Sequence, residues 1–313
     1  MKAFFLFVLL FTTPLIFSQT TAIPDANFEQ ALIDLGYDNV LDGQVLTANV
    51  DTVLSLNVTN KGVSNLTGIE DFSSLSVLYC DSNQLTTLNL SSNENLNWLF
   101  CNNNQLTNLH VNSPLQMLNC SYNELTNLNL SNYNGPFAYN LKFLYCSFNN
   151  LSVLDISHPD IKYYLTTLVC NNNQLTELNL SEFHFLGWLN CGYNDLYCLH
   201  MGCANYQFMS VPQAFISNNP NLECVEVFDT ECSYPWLTSW ITGYIVEWDS
   251  SLIWSFDNSC GFDCTSGLEN LNATPKTLVK IVDLMGRETI FKANTHLIYV
   301  YDDGSTEKVY SAE

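Results

Sequence analysis

The chain has 313 residues, with 9 basic and 31 acidic side chains and a formal net charge of −22. This charge argues against a nucleic-acid partner, because phosphate binding requires a basic surface, and it disfavours anionic lipid for the same reason. Hydrophobic residues make up 47% of the chain, which is ordinary for a folded protein and excludes a largely disordered one.

The first 18 residues have the features of a secretory signal peptide. Lys2 supplies a positive charge ahead of an apolar stretch, and Ser18 and Ala22 are small residues that suit cleavage. A transmembrane anchor is the alternative, but the stretch is short for a span of about 20 residues and Pro14 interrupts it. We therefore expect a mature chain without a membrane span, secreted or held at the outer cell surface.

Residues 19–49 are expected to form an N-terminal cap for the region that follows. Phe28, Leu32 and Ile33 have the spacing of one helix face, and Asp25 is a candidate N-cap. The run Asp38–Gly43 hints at a calcium loop but breaks the EF-hand spacing. A helix exit followed by a turn is the preferred interpretation of that run.

The central part of the chain is an internal repeat with the frame LxxLxCxxNxLxxLxL. Six copies begin at residues 75, 96, 115, 141, 165 and 186. The Leu, Leu and Cys at positions one, four and six are expected to point inward, and since one coil cannot bury them, coils stack. The position-six cysteines are Cys80, Cys101, Cys120, Cys146, Cys170 and Cys191, and the position-nine asparagines are Asn83, Asn104, Asn123, Asn149, Asn173 and Asn194.

This frame is similar to the leucine-rich repeat family in its short bacterial form of about 21 residues. The resemblance covers roughly residues 50–227, with a degenerate first coil at 53–58 and an eroded seventh copy at 211–219. It implies a solenoid of nested β-type coils, with two short strands per coil on opposite faces. Insertions at 131–140 and 157–164 should bulge from the convex side or an edge, and residues 228–264 should form a disulfide-tied C-terminal cap.

The twelve cysteines fall into two groups of six. Those at position six are expected to be free buried thiols, because Cys behaves there as a small apolar side chain. The others cluster toward the C-terminal cap, where disulfides suit an exported chain, and Cys224 with Cys260 is the favoured pair among several open pairings. This second group is Cys198, Cys203, Cys224, Cys232, Cys260 and Cys264.

Positions three, five and seven alternate with the inward residues and are expected to line the concave sheet. Positions three and five hold six aromatic residues, which suit stacking on a glycan or the hot spot of a protein partner. Cross-strand packing among the rings, or shielding by an insertion, is the alternative. The predicted ligand-binding residues are Tyr79, Trp98, Phe100, Phe143, Tyr145 and Trp188.

No catalytic arrangement, cofactor or metal site is predicted. The thiols face inward and the five histidines are scattered, so no nucleophile–base pair can be assembled. No CxxC pair or finger spacing offers metal ligands. The favoured function is a non-enzymatic binding or adhesion module, the alternative is a structural surface-layer component, and a polymer hydrolase is least favoured.

Residues 275–313, after a linker at 265–274, form a separate small β module in this interpretation. Strand patterns at 279–284 and 297–301 are followed by a tight turn at 302–305 that predicts a return strand. The run KIVDLMGRET…NTHLIYVYDDGSTEKVY resembles the short C-terminal sorting domain of the type IX secretion system of Bacteroidetes. The resemblance implies the type IX translocon as a partner, and a plain C-terminal β cap is the alternative.

Overall fold

The structure, a computed structural model, describes residues 19–111, 113–130, 140–201, 213–222, 224–227, 245–247, 253–255, 278–283, 295–301 and 306–311. The chain divides into two compact units, residues 1–261 and residues 262–313. The predicted signal peptide, residues 1–18, lies outside the described residues. Within the described part of the chain, no helix has the length and apolar character needed to cross a membrane.

Near the start of the first unit, an acidic residue ties a helix to the first coil. The elements are strand β1 (Thr20–Ala22), helix α1 (Ala26–Asp34), strand β2 (Gln44–Leu46) and helix α2 (Thr47–Val50), and β1 pairs antiparallel with β2. Asp25 is the N-cap of α1, where its Oδ1 accepts the N–H of Phe28 at 3.0 Å. Its Oδ2 accepts the N–H groups of Ser64 and Asn65 at 2.8 and 2.9 Å, so one carboxylate joins cap and coil.

A second carboxylate closes the loop after α1. Glu29 is only 2% exposed, and its Oε1 accepts the backbone N–H groups of Asp42, Gly43 and Gln44 at 2.6–3.2 Å. The segment that hinted at calcium is therefore a turn held by a carboxylate, in agreement with the preferred interpretation of the sequence.

Each repeat contributes one strand to a long sheet and a second strand on the opposite side of the coil. The elements in chain order are β3 (Ser55–Asn57), a 3-10 helix (Ile69–Asp71), β4 (Val77–Tyr79), β5 (Thr87–Leu90), β6 (Trp98–Phe100), β7 (Asn108–Val111), β8 (Met117–Asn119), β9 (Asn127–Asn129), β10 (Phe143–Tyr145), β11 (Val153–Asp155), α3 (Pro159–Tyr164), β12 (Thr167–Val169), β13 (Glu177–Leu180), β14 (Trp188–Asn190), β15 (Cys198–Met201), β16 (Gln213–Phe215), β17 (Cys224–Val227), β18 (Ile245–Glu247) and β19 (Ile253–Ser255).

The long sheet has nine parallel strands in the order β3-β4-β6-β8-β10-β12-β14-β16-β18. The opposite strands pair in parallel as β5-β7, β9-β11 and β13-β15-β17-β19. The predicted solenoid with two short strands per coil is confirmed. Strands β18 and β19 continue both sheets past residue 227, into the segment expected to be only a C-terminal cap. Of the two predicted insertions, 157–164 contains helix α3, whereas 131–139 lies outside the described residues.

The core of the solenoid is a stack of leucines. In each strand of the long sheet from β3 to β16 the middle residue is at most 2% exposed, while its neighbours in β3 to β14 reach the surface. Burying one such side chain contributes about 1.5–3 kcal/mol, and stacking lets each leucine contact its counterparts in the next coils. These residues are Leu56, Leu78, Leu99, Leu118, Leu144, Leu168, Leu189 and Ala214.

A ladder of asparagines, all buried except the half-buried Asn104, joins the coils at the corners that follow β4 to β16 of the long sheet. The Nδ2 of Asn123 donates to the carbonyl of Cys120 in its own coil and to that of Cys101 in the coil before, at 3.0 and 3.1 Å. Its Oδ1 accepts the N–H of Leu106, also in the coil before, at 2.9 Å. One side chain thus satisfies three backbone groups. The same contacts recur at Asn83, Asn104, Asn149, Asn173, Asn194 and Asn219.

The second unit contains a three-stranded antiparallel sheet. Its strands are β20 (Leu278–Asp283), β21 (Thr295–Tyr301) and β22 (Thr306–Ser311), in the order β20-β21-β22. They coincide with the three strand patterns of the small β module, and the role of this module in sorting stays a prediction.

Replacing Asn149 with Ala should lower the free energy of unfolding by about 3 kcal/mol, at about 1 kcal/mol for each of three lost hydrogen bonds. The carbonyls of Cys120 and Cys146 each lose one of their two asparagine donors, and the N–H of Leu125 loses its side-chain acceptor. Urea denaturation followed by circular dichroism measures the loss. The exposed neighbour Asn150 is the matched control, and Asn150→Ala should stay within about 0.5 kcal/mol of wild type. Equal losses in both variants would contradict a special role for position nine.

Asp25 should make the stability of the cap depend on acid pH. Burial by itself would raise the pKa of its carboxyl, but hydrogen bonds from Ser64, Phe28 and Asn65 outweigh that effect and lower the pKa below 3.8. The stability gained from a lowered pKa is present above the unfolded-state pKa and is lost as pH falls through the folded-state pKa. Asp25→Asn should therefore be less stable than wild type at neutral pH.

The difference in stability between wild type and Asp25→Asn should become smaller as pH falls below 3.8. Thermal denaturation of both chains in a series of buffers from neutral to strongly acidic pH measures it, and the comparison cancels the titration of the other carboxylates. A difference in melting temperature that does not change with pH would rule out a contribution from the charge of Asp25.

Candidate functional site

The six predicted ligand-binding residues lie on the outer face of the long sheet. Each is the first or last residue of a three-residue strand, so it points away from the buried leucine between them. Trp98 and Trp188 are 39% and 40% exposed, and the other four are half-buried. We call this surface the aromatic face, formed by Tyr79, Trp98, Phe100, Phe143, Tyr145, Trp188 and, in the next coil, Phe215.

Three rings contact one another at the N-terminal end of the aromatic face. Tyr79 and Phe100 are paired residues of adjacent strands, and their rings stack with centroids 4.7 Å apart and 6° between planes. The ring of Trp98 lies 6.3 Å from that of Phe100 at an angle of 40°. Cross-strand packing therefore explains part of this cluster, but Trp98 keeps more than a third of its surface open to solvent.

A second contact lies at the C-terminal end of the face, where the ring of Trp188 is 5.5 Å from that of Phe215. Phe215 is not among the residues predicted from the sequence, although it occupies position five of the eroded coil, between the inward Ala214 and Ile216. Four strand-to-strand steps separate Trp98 from Trp188, which is about 19 Å at about 4.8 Å per step. The aromatic face is therefore elongated along the solenoid.

Position seven, which was expected to line this face, is half-buried in three coils, at Asp81, Asn102 and Asn171, and buried in the other three. Ser121 and Ser147 are 9% and 5% exposed, and Gly192 is buried. A Cβ on Gly192 would lie 2.9 Å from the carbonyl oxygen of Ser217 in the next coil. The strands end at position five and the chain turns into the corner, and at Gly192 a larger side chain has no room because the backbone of the next coil passes close to it.

Position eight has a left-handed backbone in eight successive coils, with φ between 53° and 60°. This conformation favours Gly and Asn, since a larger side chain meets the following carbonyl. Five coils have a small polar residue here: Asn60, Ser82, Asn103, Asn172 and Asn218. The other three have aromatic residues that are 50%, 40% and 56% exposed, and we call them the corner row: Tyr122, Phe148 and Tyr193.

The corner row is not among the residues predicted from the sequence, because position eight of the repeat frame is variable. The signal was present in the copies that read SYN, SFN and GYN at positions seven to nine, where others read DSN or NNN. Because Asn or Ser meets the requirements of the fold at this position in the other coils, an aromatic residue there indicates a role other than folding.

The six ladder cysteines are free and fully buried. Burial raises the pKa of the Cys120 and Cys170 thiols to about 12. It also raises the pKa of the Cys101 thiol well above 9.0, with a further contribution from neighbouring thiols. A buried thiol with so high a pKa forms almost no thiolate, so the ladder offers packing and not a nucleophile.

Cys198 differs from the ladder, because it is disulfide-bonded. Its Sγ also lies 3.0 Å from the Nε2 of His200, two residues along the same strand. The predicted pair of Cys224 and Cys260 lies outside the described side chains and stays a prediction. Among the residues that the structure describes, no group of three or more His, Cys, Asp or Glu side chains is placed to hold a metal ion.

No protein-family model and no curated protein matches the chain. Among solved structures it is similar to the functional domain of InlJ from Listeria monocytogenes, described as including a cysteine ladder, with 25% identity, a TM-score of 0.36, and coverage of 67% of this chain and 57% of that one. Internalin C2 of the same organism has 20% identity, a TM-score of 0.39, and coverage of 66% and 98%. A leucine-rich repeat protein of Leptospira interrogans has 19% identity, a TM-score of 0.35, and coverage of 68% of each chain.

The chain thus spans 57% of the length of the InlJ domain. The fold class is a leucine-rich repeat solenoid of short coils, and this assignment follows from the six repeats, the parallel pairing of both strand sets and the buried leucines of this chain itself.

Iodoacetamide at mildly alkaline pH should leave the six ladder cysteines unmodified in the native chain, because they are buried and protonated. After unfolding in urea the same six thiols should react. Peptide mass mapping measures the labelling at each site, so every cysteine serves as its own control. Fast native labelling at any of the six would show that its coil opens or that the thiol is accessible.

Proposed function

We propose that this protein is an exported, non-enzymatic binding module that recognises an extended glycan, or a protein, through the aromatic face. The observation that carries the proposal is the exposure of Trp98 and Trp188, at 39% and 40%, on an otherwise tightly packed sheet. The solvent-exposed part of an indole ring does not stabilise the fold, because it buries no apolar surface. A ligand that covers it removes that apolar surface from water, which favours binding.

The rigid support of these rings favours binding. Trp98 and Trp188 are strand residues, and the next residue in each strand, Leu99 or Leu189, is buried in the core. A surface that is already ordered loses little conformational entropy when it binds. The spacing of about 19 Å between the two tryptophans suits an elongated ligand that contacts several coils.

The residues between the rings favour a glycan. Asn119 and Asn190 occupy position five next to aromatic residues of the neighbouring strands, and both are half-buried with amide groups on the outer face. Sugar rings stack on aromatic faces, and their hydroxyl groups exchange hydrogen bonds with amides. A protein partner is the second candidate, because exposed Trp residues are also common anchors of protein interfaces.

The two ends of the chain support the extracellular localisation in this proposal. The features of residues 1–18 are those of a signal peptide. Residues 275–313, whose described strands form a separate antiparallel sheet, resemble a type IX sorting domain and would deliver the protein through that translocon. The protein would then act at the outer cell surface or in the surrounding medium.

A glycan array probed with the purified full-length chain tests the proposal. The variant Trp98→Ala/Trp188→Ala should lose at least about tenfold in affinity for any glycan that wild type binds, since each exposed anchor contributes on the order of 1 kcal/mol or more. This variant leaves the half-buried rings in place. The matched control changes exposed residues on the opposite strands, Thr87→Ala/Asn108→Ala, and should bind as wild type does.

A glycan bound equally by wild type and the tryptophan variant would remove the aromatic face as the site. If no glycan binds, the same three chains should be compared for adhesion to cells and surface proteins. Adhesion lost only in the tryptophan variant would support a protein partner, and no adhesion at all would leave a structural role. Turnover of a bound glycan would contradict the non-enzymatic assignment.

A further inference from the structure

The corner row places aromatic side chains where the backbone disfavours them. Tyr122, Phe148 and Tyr193 have φ of 57°, 53° and 54°, a conformation that Asn tolerates better. All three are at least 40% exposed, so a large part of each ring stays open to solvent. A strained residue that the fold does not need is a sign of function.

The corner row lies along one edge of the solenoid in consecutive steps. The N–H of Tyr122 donates to Ser147, that of Phe148 to Asn171, and that of Asn172 to Gly192, which makes positions eight of neighbouring coils successive rungs. The rings of Tyr122 and Phe148 stack with centroids 4.2 Å apart and 8° between planes. The corner row therefore continues the spacing of the strands.

The row is interrupted once, at Asn172, between Phe148 and Tyr193. Two rungs at about 4.8 Å each separate these aromatic residues by about 9.6 Å. A flat group in contact with a ring on either side needs about 7–8 Å between the rings. The short Asn172 side chain therefore leaves a slot wide enough for one planar group.

The charge along this edge is negative. Position ten carries Glu124 beside Tyr122 and Asp195 beside Tyr193, and both carboxylates are exposed. Beyond this corner, on strand β13, Glu177 lies close enough to Tyr197 that its negative charge, together with burial, raises the pKa of the Tyr197 hydroxyl. The sequence has no Lys or Arg at positions eight to thirteen of these four coils, 122–127, 148–153, 172–177 and 193–198.

We propose that the corner row is a docking site for arginine side chains of a basic partner protein, with a guanidinium group held between Phe148 and Tyr193 and paired with Asp195. Guanidinium is planar, stacks on aromatic rings and donates to carboxylates in the same arrangement. A lysine ammonium has no flat face to fill the slot. A neutral sugar gains less here, because Tyr122 and Phe148 cover one face of each other's rings.

Isothermal titration calorimetry of the full-length chain with acetyl-(Gly-Arg)4-amide at about 0.15 M salt tests this site. The same peptide with citrulline, which keeps the shape but loses the charge, should bind at least tenfold more weakly. The lysine peptide should also bind at least fivefold more weakly, because it lacks the planar group.

The decisive variant is Phe148→Asn/Tyr193→Asn, which restores the residue that most other coils have at position eight. It should melt no lower than wild type and should lose at least tenfold in affinity for the arginine peptide. Ser82→Asn, at position eight of another coil, and Trp98→Ala/Trp188→Ala should keep full affinity, which separates this site from the aromatic face.

Equal affinity for the lysine and arginine peptides would overturn the proposal, since it would indicate general attraction to an acidic chain. Unchanged affinity in Phe148→Asn/Tyr193→Asn, or no binding of the arginine peptide to wild type, would overturn it as well. None of these results bears on glycan binding by the aromatic face.

Discussion

The structure depends on one buried asparagine per coil. The chain must turn sharply after each three-residue strand, and that turn would leave backbone carbonyls and an N–H group buried without partners. The position-nine side chain meets all of them, and because it bonds to its own coil and to the coil before, it also holds the coils together. Asn is suited to this because its amide both donates and accepts, whereas Asp only accepts when ionised.

The same corner determines what neighbouring positions can contain. Position six supplies the carbonyl that two successive asparagines share, as at Cys101, and its side chain faces the core, where a small apolar group fits. At position seven of one coil the backbone of the next coil lies close by, and for this reason Gly192 has no room for a Cβ. Position eight takes the left-handed backbone that lets the asparagine point inward. The outer face of the strands is free of these constraints, and it is there and at position eight that aromatic residues depart from the repeat.

The two surfaces differ in chemistry although both are aromatic. On the aromatic face the rings alternate with amides and aliphatic groups across a sheet, and the exposed indoles of Trp98 and Trp188 stand far apart. Along the corner row the rings follow each other at the strand spacing, and Glu124 and Asp195 give the edge a negative charge. One chain thus presents a broad apolar surface and a narrow acidic one, and a net charge of −22 strengthens the second.

The repeat frame by itself determined which residues are inward, that the coils stack, and where the ladders of Cys and Asn lie, because these follow from chemistry that recurs along the chain at a fixed position. It also placed the six rings on one face, since the alternation of side chains along a strand does not depend on the neighbouring coils. Only the tertiary structure decided the left-handed corner at Tyr122, Phe148 and Tyr193, the burial of Ser121 and Ser147, and the ring contacts of Phe100 and Phe215. Those features depend on how closely one coil approaches the next. That distance is set by packing between segments about 20 or more residues apart, and the sequence of a single coil does not determine it.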